Sequence, residues 1–381
     1  MKKIEMVDLV TQYHKIEHEI NASINEVLRS GAYIQGKSVR EFEEHLRIYT
    51  GATHCITCAN GTDALQIAMM ALGLNPGDEI IVPSFTYIAT AEAAAVLGIK
   101  PVFAEVSPAT FNIDTHGISS LITEKTKAII PVHLYGQCAD MEPLLNIAKQ
   151  HGLYVIEDAA QAIGASYIFS NGTVAKAGSM GDIGITSFFP SKNLGCYGDG
   201  GALFTNNDDL AKKIKMIANH GQERKYYHDM IGINSRLDTL QAAILKVKLT
   251  YLDSYINARK NVAQYYDKAF VEIAENVKTP VRAENSTHVF HQYTIRLNGM
   301  ERDNLKIFLE KNNIPTMVYY PLPIHLQKAY TYLGYKEGDL PVSEQLCKTV
   351  LSLPIHSEMN DEQLSYIAEK IIEYYTLEYE R

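Results

Sequence analysis

Between about residues 50 and 205 the chain alternates short runs rich in Val, Ile and Phe with longer stretches in which apolar residues recur at helical spacing. The β-rich runs fall at 80–82, 101–106, 127–132 and 154–156, and the helical stretches at 89–97 and 141–151. This alternation predicts βαβ units and a mostly parallel sheet covered on both faces. Three runs pass straight into polar or glycine-rich segments: Val82 into Pro83-Ser84-Phe85-Thr86-Tyr87, Ile156 into Glu157-Asp158, and Phe189 into Pro190-Ser191-Lys192. In open α/β sheets, ligands sit outside the carboxyl ends of the strands, so these segments are the first places to look for chemistry.

Past about residue 207 the pattern changes to long helical stretches at 208–220 and from 237 to 257 and onward, the second charged and amphipathic. The remainder carries a strand near 292–297, a helix near 302–312, the proline-rich Tyr320-Pro321-Leu322-Pro323, and a last helix after Asn360. The expected fold is therefore α/β. A large domain with an N-terminal helical arm spans 1–250, and a smaller α+β domain spans 251–381.

A chain of 381 residues with 46% hydrophobic content can bury a sizeable core and is longer than a usual single domain, which agrees with that division. It is not the composition of a disordered or fibrous protein. Lys and Arg number 35 against 44 Asp and Glu, a net charge of -9, and no basic block stands out. A nucleic-acid surface and an anionic-membrane anchor are therefore not expected. The opening Met1-Lys2-Lys3-Ile4-Glu5 lacks a signal-peptide core, and no run approaches the roughly 18 apolar residues of a membrane span, so the expected location is the cytoplasm.

Cys55, Cys58, Cys138, Cys196 and Cys347 are five in number and scattered, which is not a disulfide framework. Cys55-Ile56-Thr57-Cys58 has the spacing of half a zinc site, yet no second pair follows and its interior is β-branched. These read as core cysteines, and no metal is expected.

Three segments could carry chemistry. In Asn60-Gly61-Thr62-Asp63-Ala64-Leu65 a strand-like run meets a helix, placing Thr62 and Asp63 at the N-cap and first turn. Free N–H groups and the helix dipole there favour a phosphate, although an ordinary cap has the same pattern. Glu157-Asp158-Ala159-Ala160-Gln161 follows the apolar Leu153-Tyr154-Val155-Ile156 and sets an acidic pair at a buried strand end, where a carboxylate needs a partner. A protonated pyridine nitrogen would be one. Lys192 lies between Phe188-Phe189-Pro190 and Gly195-Cys196-Tyr197-Gly198-Asp199-Gly200-Gly201, and an amine in such apolar surroundings loses its charge and becomes nucleophilic.

At these motifs the sequence resembles the sugar aminotransferases of the DegT/DnrJ/EryC1/StrS family, pyridoxal-phosphate enzymes of fold type I, over nearly the whole chain. The most specific parts are Asn60-Gly61-Thr62-Asp63-Ala64-Leu65, Pro83-Ser84-Phe85-Thr86-Tyr87, Glu157-Asp158-Ala159-Ala160-Gln161 and Thr186-Ser187-Phe188-Phe189-Pro190-Ser191-Lys192. The resemblance implies a seven-stranded-type sheet in the large domain and pyridoxal 5'-phosphate as coenzyme. It makes Lys192 the Schiff-base lysine and proton shuttle, Asp158 the partner of the pyridine nitrogen, and Gln161 a contact to the ring hydroxyl. Gly61, Thr62, Asp63 and Ser187 would hold the phosphate, and Tyr87 would stack on the ring. Asn234, in Gly232-Ile233-Asn234-Ser235-Arg236-Leu237, matches a residue lent to a neighbouring subunit's phosphate site, so a homodimer with shared active sites is expected.

Within the family, Leu134-Tyr135-Gly136-Gln137-Cys138-Ala139-Asp140 and Asn234-Ser235-Arg236-Leu237-Asp238-Thr239-Leu240 are similar to members that aminate UDP-2-acetamido-3-keto-glucuronic acid with L-glutamate, on the route to surface polysaccharide such as the O-antigen of lipopolysaccharide. In one departure, Val318-Tyr319-Tyr320 stands where those members have a His before the Tyr. Arg236 of a partner chain is the candidate for a substrate carboxylate, with a helix-start ion pair as the alternative. Tyr319, Tyr320, His220 and His325 are further pocket candidates. Two rival functions remain: amination of a UDP- or dTDP-linked 3-keto or 4-keto 6-deoxyhexose, and a non-catalytic regulatory protein of the same fold, against which the retention of Lys192 argues.

Overall fold

The computed structural model describes residues 2–298 and 302–379. Helices α1 (Leu9–Ser30) and α2 (Lys37–Thr50) lead into β1 (His54–Cys58), α3 (Gly61–Ala71), β2 (Glu79–Pro83), α4 (Ala89–Val96) and β3 (Lys100–Ala104). There follow α5 (Ile118–Leu121), β4 (Thr126–Ile129), α6 (Met141–His151) and β5 (Tyr154–Asp158). A separate hairpin, β6 (Ser166–Ile168) and β7 (Val174–Lys176), precedes β8 (Ile183–Ser187), β9 (Gly201–Thr205) and α7 (Asp208–Ile217).

Seven of these strands make one sheet in the order β1-β9-β8-β5-β4-β2-β3. The run from β8 to β3 is parallel, and β9 is antiparallel to both of its neighbours. The mostly parallel sheet predicted from the alternation is thus present. The run expected over 127–132 stops pairing as a strand at Ile129, because Pro131 has no N–H to give; its carbonyl instead accepts from Asp158 N at 2.9 Å. The run expected over 101–106 likewise ends at Ala104, leaving Val106 in an isolated bridge to Ile113.

Both faces of the sheet are covered, as near-continuous apolar strands require. Ile81, Ile129 and Val155 point into a core formed with Phe42, Leu46 and Leu245, whereas their neighbours Ile80, Val82, Ile130 and Ile156 point into a second core with Leu65 and Ile67 of α3. Each such side chain contributes about 1.5–3 kcal/mol by leaving water. The same period of two separates Cys55, in the first core, from Cys58, in the second. A pair three residues apart on a strand cannot share one ligand. All five cysteines are free and buried, and burial pushes the Cys55 and Cys58 thiols well above their ordinary range.

After α7 a short hairpin, β10 (Gln222–Arg224) with β11 (Tyr227–His228), precedes α8 (Thr239–Ala269), which runs unbroken for 31 residues. Its Ala242, Leu245 and Leu252 belong to the first core of the sheet, while Val262, Ala263 and Tyr266 join a third core. That third core lies among β12 (Val277–Lys278), β13 (Tyr293–Leu297), α9 (Arg302–Lys311), β14 (Val350–Leu353) and α11 (Asp361–Tyr379), with β12, β13 and β14 forming a three-stranded antiparallel sheet, while Leu346 and Cys347 of α10 (Pro341–Thr349) pack instead with Phe85, Phe111 and Tyr135. One helix therefore contributes to both the first and the third core. Among the described residues no helix is long and apolar enough to cross a membrane.

Candidate active site

The carboxyl ends of β2, β5 and β8 open on a cavity of about 620 Å³, which is within the size range of small-molecule sites. Gly61, Thr62, Tyr87, Asp158, Gln161, Ser187, Lys192, Tyr319 and Tyr320 all line it. These positions are scattered over some 260 residues of chain, and the parallel sheet gathers them at one edge.

Lys192 sits on a tight loop after β8. Phe188 N reaches Gly200 O at 2.7 Å, Cys196 N reaches Phe188 O at 2.8 Å, and Lys192 N reaches Phe189 O at 2.9 Å. The loop closes only around a glycine at 195, since a Cβ there would stand 2.3 Å from Pro190 O. Lys192 as a residue is half-buried on the cavity wall, and removal of its amine from water brings the pKa down from the ordinary lysine value to about 8, against the opposing pull of Asp158.

That shift has a measurable sign. Only the free amine attacks an aldehyde, so capture of an aldehyde coenzyme by the coenzyme-free protein is expected to accelerate about tenfold per pH unit up to about 8 and to level off above it. Stopped-flow absorbance checks this. A rate still climbing past about pH 10, where an ordinary lysine titrates, would contradict it.

Successive side chains on a strand face opposite ways, so only one member of the acidic pair reaches the cavity. Glu157 points into the interior and is completely buried. It accepts from Gly178 N at 2.9 Å, Met180 N at 2.5 Å, Gly181 N at 2.6 Å and His133 Nε2 at 2.9 Å. His133 Nδ1 accepts from Ala139 N, so the ring proton resides on Nε2 and Glu157 is fully partnered. Asp158 is the residue at the cavity. Its Oδ2 accepts from Thr90 Oγ1 at 2.8 Å and its Oδ1 from Ala160 N at 3.2 Å. Burial pushes this carboxyl up, while the Thr90 and Ala160 bonds and the Lys192 charge pull it back.

At the start of α3 the cap is Asn60 rather than Thr62: its backbone is extended, with φ -168° and ψ 172°, and its side chain accepts from Asp63 N at 2.8 Å. Thr62 and Asp63 therefore lie in the first turn. The early N–H groups of a helix have no partner within it, so those of Gly61 and Thr62 are available to an anion. Gly61 packs so closely on Ser187 that a Cβ would meet the Ser187 Cβ at 2.9 Å. Gln161 Oε1 accepts from Tyr135 N at 2.8 Å, leaving Nε2 to reach Tyr320 OH at 3.3 Å across the cavity. Tyr87 is 56% exposed, with its ring 6.1 Å from that of Tyr320.

Other expected residues lie elsewhere within one chain. Asp63 and Asn234 are off the cavity, Asn234 being bridged to Asn219. His220 is exposed, with φ at 60°. Arg236 lines a different cavity of about 680 Å³, together with Arg40, Lys212 and Lys215. His325 corrects the sequence reading. It is 1% exposed and held between Ser84 Oγ at 2.7 Å and Glu344 Oε1 at 3.2 Å, so both ring nitrogens are engaged behind the wall rather than in the pocket.

The sequence reading did not single out Thr86, Thr90, Tyr135, His291 or Gln292, all of which line the cavity. Thr90 had a signal, a lone hydroxyl in an alanine run. Tyr135 lay in a stretch similar to family members but with no role attached to it, and His291 had no signal, because a loop from a distant part of the chain delivers it. Thr86 Oγ1 and His291 Nδ1 are buried on this wall without a partner. These orphaned polar atoms, the helix start beside Ser187, the depressed amine of Lys192 and the buried carboxylate of Asp158 fit a phosphate-bearing pyridine aldehyde, namely pyridoxal phosphate. The fold and the site together define an aminotransferase that uses this coenzyme.

The chain belongs to the DegT/DnrJ/EryC1/StrS aminotransferase family, whose model matches residues 14–372. It is 50% identical to a protein of Geobacillus stearothermophilus named pleiotropic regulatory protein, with 98% of each chain covered. It is 47% identical to the UDP-2-acetamido-2-deoxy-3-oxo-D-glucuronate aminotransferase of Pseudomonas aeruginosa, over 96% of this chain and 98% of that one. It is 43% identical to the dTDP-3-amino-3,6-dideoxy-alpha-D-galactopyranose transaminase of Aneurinibacillus thermoaerophilus, over 97% and 99%. Its structure resembles that of S. venezuelae DesV in complex with a ketimine intermediate, with a TM-score of 0.94, 38% identity, and coverage of 98% of this chain and 99% of that one.

Proposed function

We propose that this protein transfers the amino group of L-glutamate to the keto carbon of UDP-2-acetamido-3-keto-glucuronic acid, working as a homodimer. The observation that carries the reaction type is the Lys192 amine, brought to about pKa 8 beside the buried Asp158 carboxylate in a cavity with a phosphate-ready helix start. The choice of sugar is supported by the 47% identity to the P. aeruginosa enzyme and by the motif around Asn234 and Arg236.

Pyridoxal phosphate, when bound, supplies an electron sink for the charge left as a proton departs from the amine-bearing carbon. The chain supplies the rest. Lys192 would be the attachment point for the aldehyde carbon, and its Nζ, once free, would take that proton and return it two atoms along, at the former aldehyde carbon. Asp158 would hold a proton at the ring nitrogen, Gln161 would contact the ring hydroxyl, Thr62 and Ser187 with the N–H groups of the first α3 turn would hold the phosphate, and Tyr87 would stack on the ring. Asn234 and Arg236, neither of which lines the Lys192 cavity of its own chain, act on the site of a second copy, where the Arg236 guanidinium pairs with the uronate carboxylate.

A neutral 6-deoxy sugar carried on dTDP is the second reading, favoured by the A. thermoaerophilus relative. A purely regulatory role is the third, favoured by the name of the G. stearothermophilus relative. Purified holoenzyme incubated with glutamate and each keto-sugar nucleotide, followed by mass spectrometry, separates all three. Amino-sugar product is expected with the keto-uronate. Product only with a neutral 6-deoxy sugar would replace the substrate assignment, and no product with any of them would favour the regulatory reading.

A further inference from the structure

Thr90 interrupts the alanine-rich run Ala89-Thr90-Ala91-Glu92-Ala93-Ala94-Ala95 of α4 at a position only 1% exposed. Alanine is the better helix former there, and a buried hydroxyl costs free energy unless it finds a partner. Thr90 is the second residue of the helix, so no helical carbonyl lies one turn before it for its hydroxyl to turn back to. Thr90 instead donates to Asp158 Oδ2 at 2.8 Å, a residue 68 positions further along the chain. The other carboxylate oxygen is held by Ala160 N at 3.2 Å. One side-chain donor and one backbone donor thus set the plane of the carboxylate, and Thr90, Asp158 and Ala160 all line the coenzyme cavity.

We propose that Thr90 is a positioning residue for transamination, its hydroxyl aiming the Asp158 carboxylate at the ring nitrogen of pyridoxal phosphate and holding it ionised. The proposal rests on the assignment of Asp158 as the ring-nitrogen partner. Burial drives a carboxyl toward its neutral form, which cannot keep a proton on the ring, and something at the site must oppose that. The charge of Lys192 does so only while its amine is protonated, a state the amine must leave in order to react. The Thr90 hydroxyl is neutral throughout and cannot titrate, so its support for the carboxylate is the same at every stage.

The test is the affinity of coenzyme-free protein for pyridoxal phosphate and for its analogue with CH in place of the ring nitrogen, measured for wild type, Thr90→Val, Thr90→Ser and Asp158→Asn. Wild type is expected to prefer the natural coenzyme. Thr90→Val, which keeps the side-chain volume, is expected to narrow that preference by about tenfold, the worth of one hydrogen bond to a charged group. Thr90→Ser is expected to restore it. If Thr90→Val weakens both ligands equally, or leaves the preference intact while Asp158→Asn abolishes it, Thr90 does not position the carboxylate and the proposal falls although the Asp158 assignment stands. If wild type shows no preference and Asp158→Asn matches it, the Asp158 assignment fails as well.

Discussion

Lys192→Ala is expected to lose covalent capture of pyridoxal phosphate and to slow transamination by at least about 10³-fold. The size follows from two losses on one side chain: the attachment point for the aldehyde and the base that moves the proton. Among the described residues no other lysine lines the cavity, so no second side-chain amine stands in for it. Borohydride treatment of the holoprotein followed by peptide mass spectrometry should place the coenzyme on Lys192 in the wild type and nowhere in the variant. The fold should survive, because the amine is held in a poorly solvated place where its charge is unfavourable. A variant that keeps both the visible absorption band of the bound coenzyme and the activity would refute the central assignment.

Asp158→Asn is expected to lower kcat by about 10²–10³-fold, the loss typical of removing one preorganised electrostatic contact from a site of developing charge. An amide has the volume of the carboxylate and can still meet the hydroxyl of Thr90, so packing is preserved and charge is what changes. The direction of the stability effect separates the two. Burial raises the folded-state pKa of this carboxyl, which means that its ionised form costs the folded protein free energy at neutral pH. The neutral amide removes that cost, and the melting temperature of the coenzyme-free protein, to which this sign applies, should hold or rise while activity falls. A variant retaining more than a tenth of wild-type kcat, or one that melts markedly lower, would contradict the assigned role.

The two substitutions also mark how far the motifs could be read unaided. Lys192 stood out because a lysine between Phe188-Phe189-Pro190 and a glycine cluster is not on a solvated helix face. The pair Glu157-Asp158 stood out equally; burial and strand position alone did not choose between its members, and only the family resemblance pointed to Asp158. The choice was made by strand pleat: Glu157 turns toward His133 and three backbone N–H groups, and Asp158 turns toward the cavity. His325 failed as a pocket residue for a related reason. Its candidacy rested on residue type, and its neighbours Ser84 and Glu344, 241 and 19 positions away, consume both ring nitrogens.

By itself, the order of apolar and polar positions determined the alternation of strands and helices, the mostly parallel sheet, and the segments at its carboxyl edge. These are local properties, set by periodicity and by where a run of buried residues meets turn-forming ones. Only the tertiary structure decided that Asn60 caps α3, that Thr90 faces Asp158, that Tyr135 and His291 join the wall, and that Asn234 and Arg236 lie outside the cavity of their own chain. Those outcomes depend on which way each side chain points once distant segments pack. A contact between positions 90 and 158 depends on how α4 and β5 are packed, which neither segment's own residues encode.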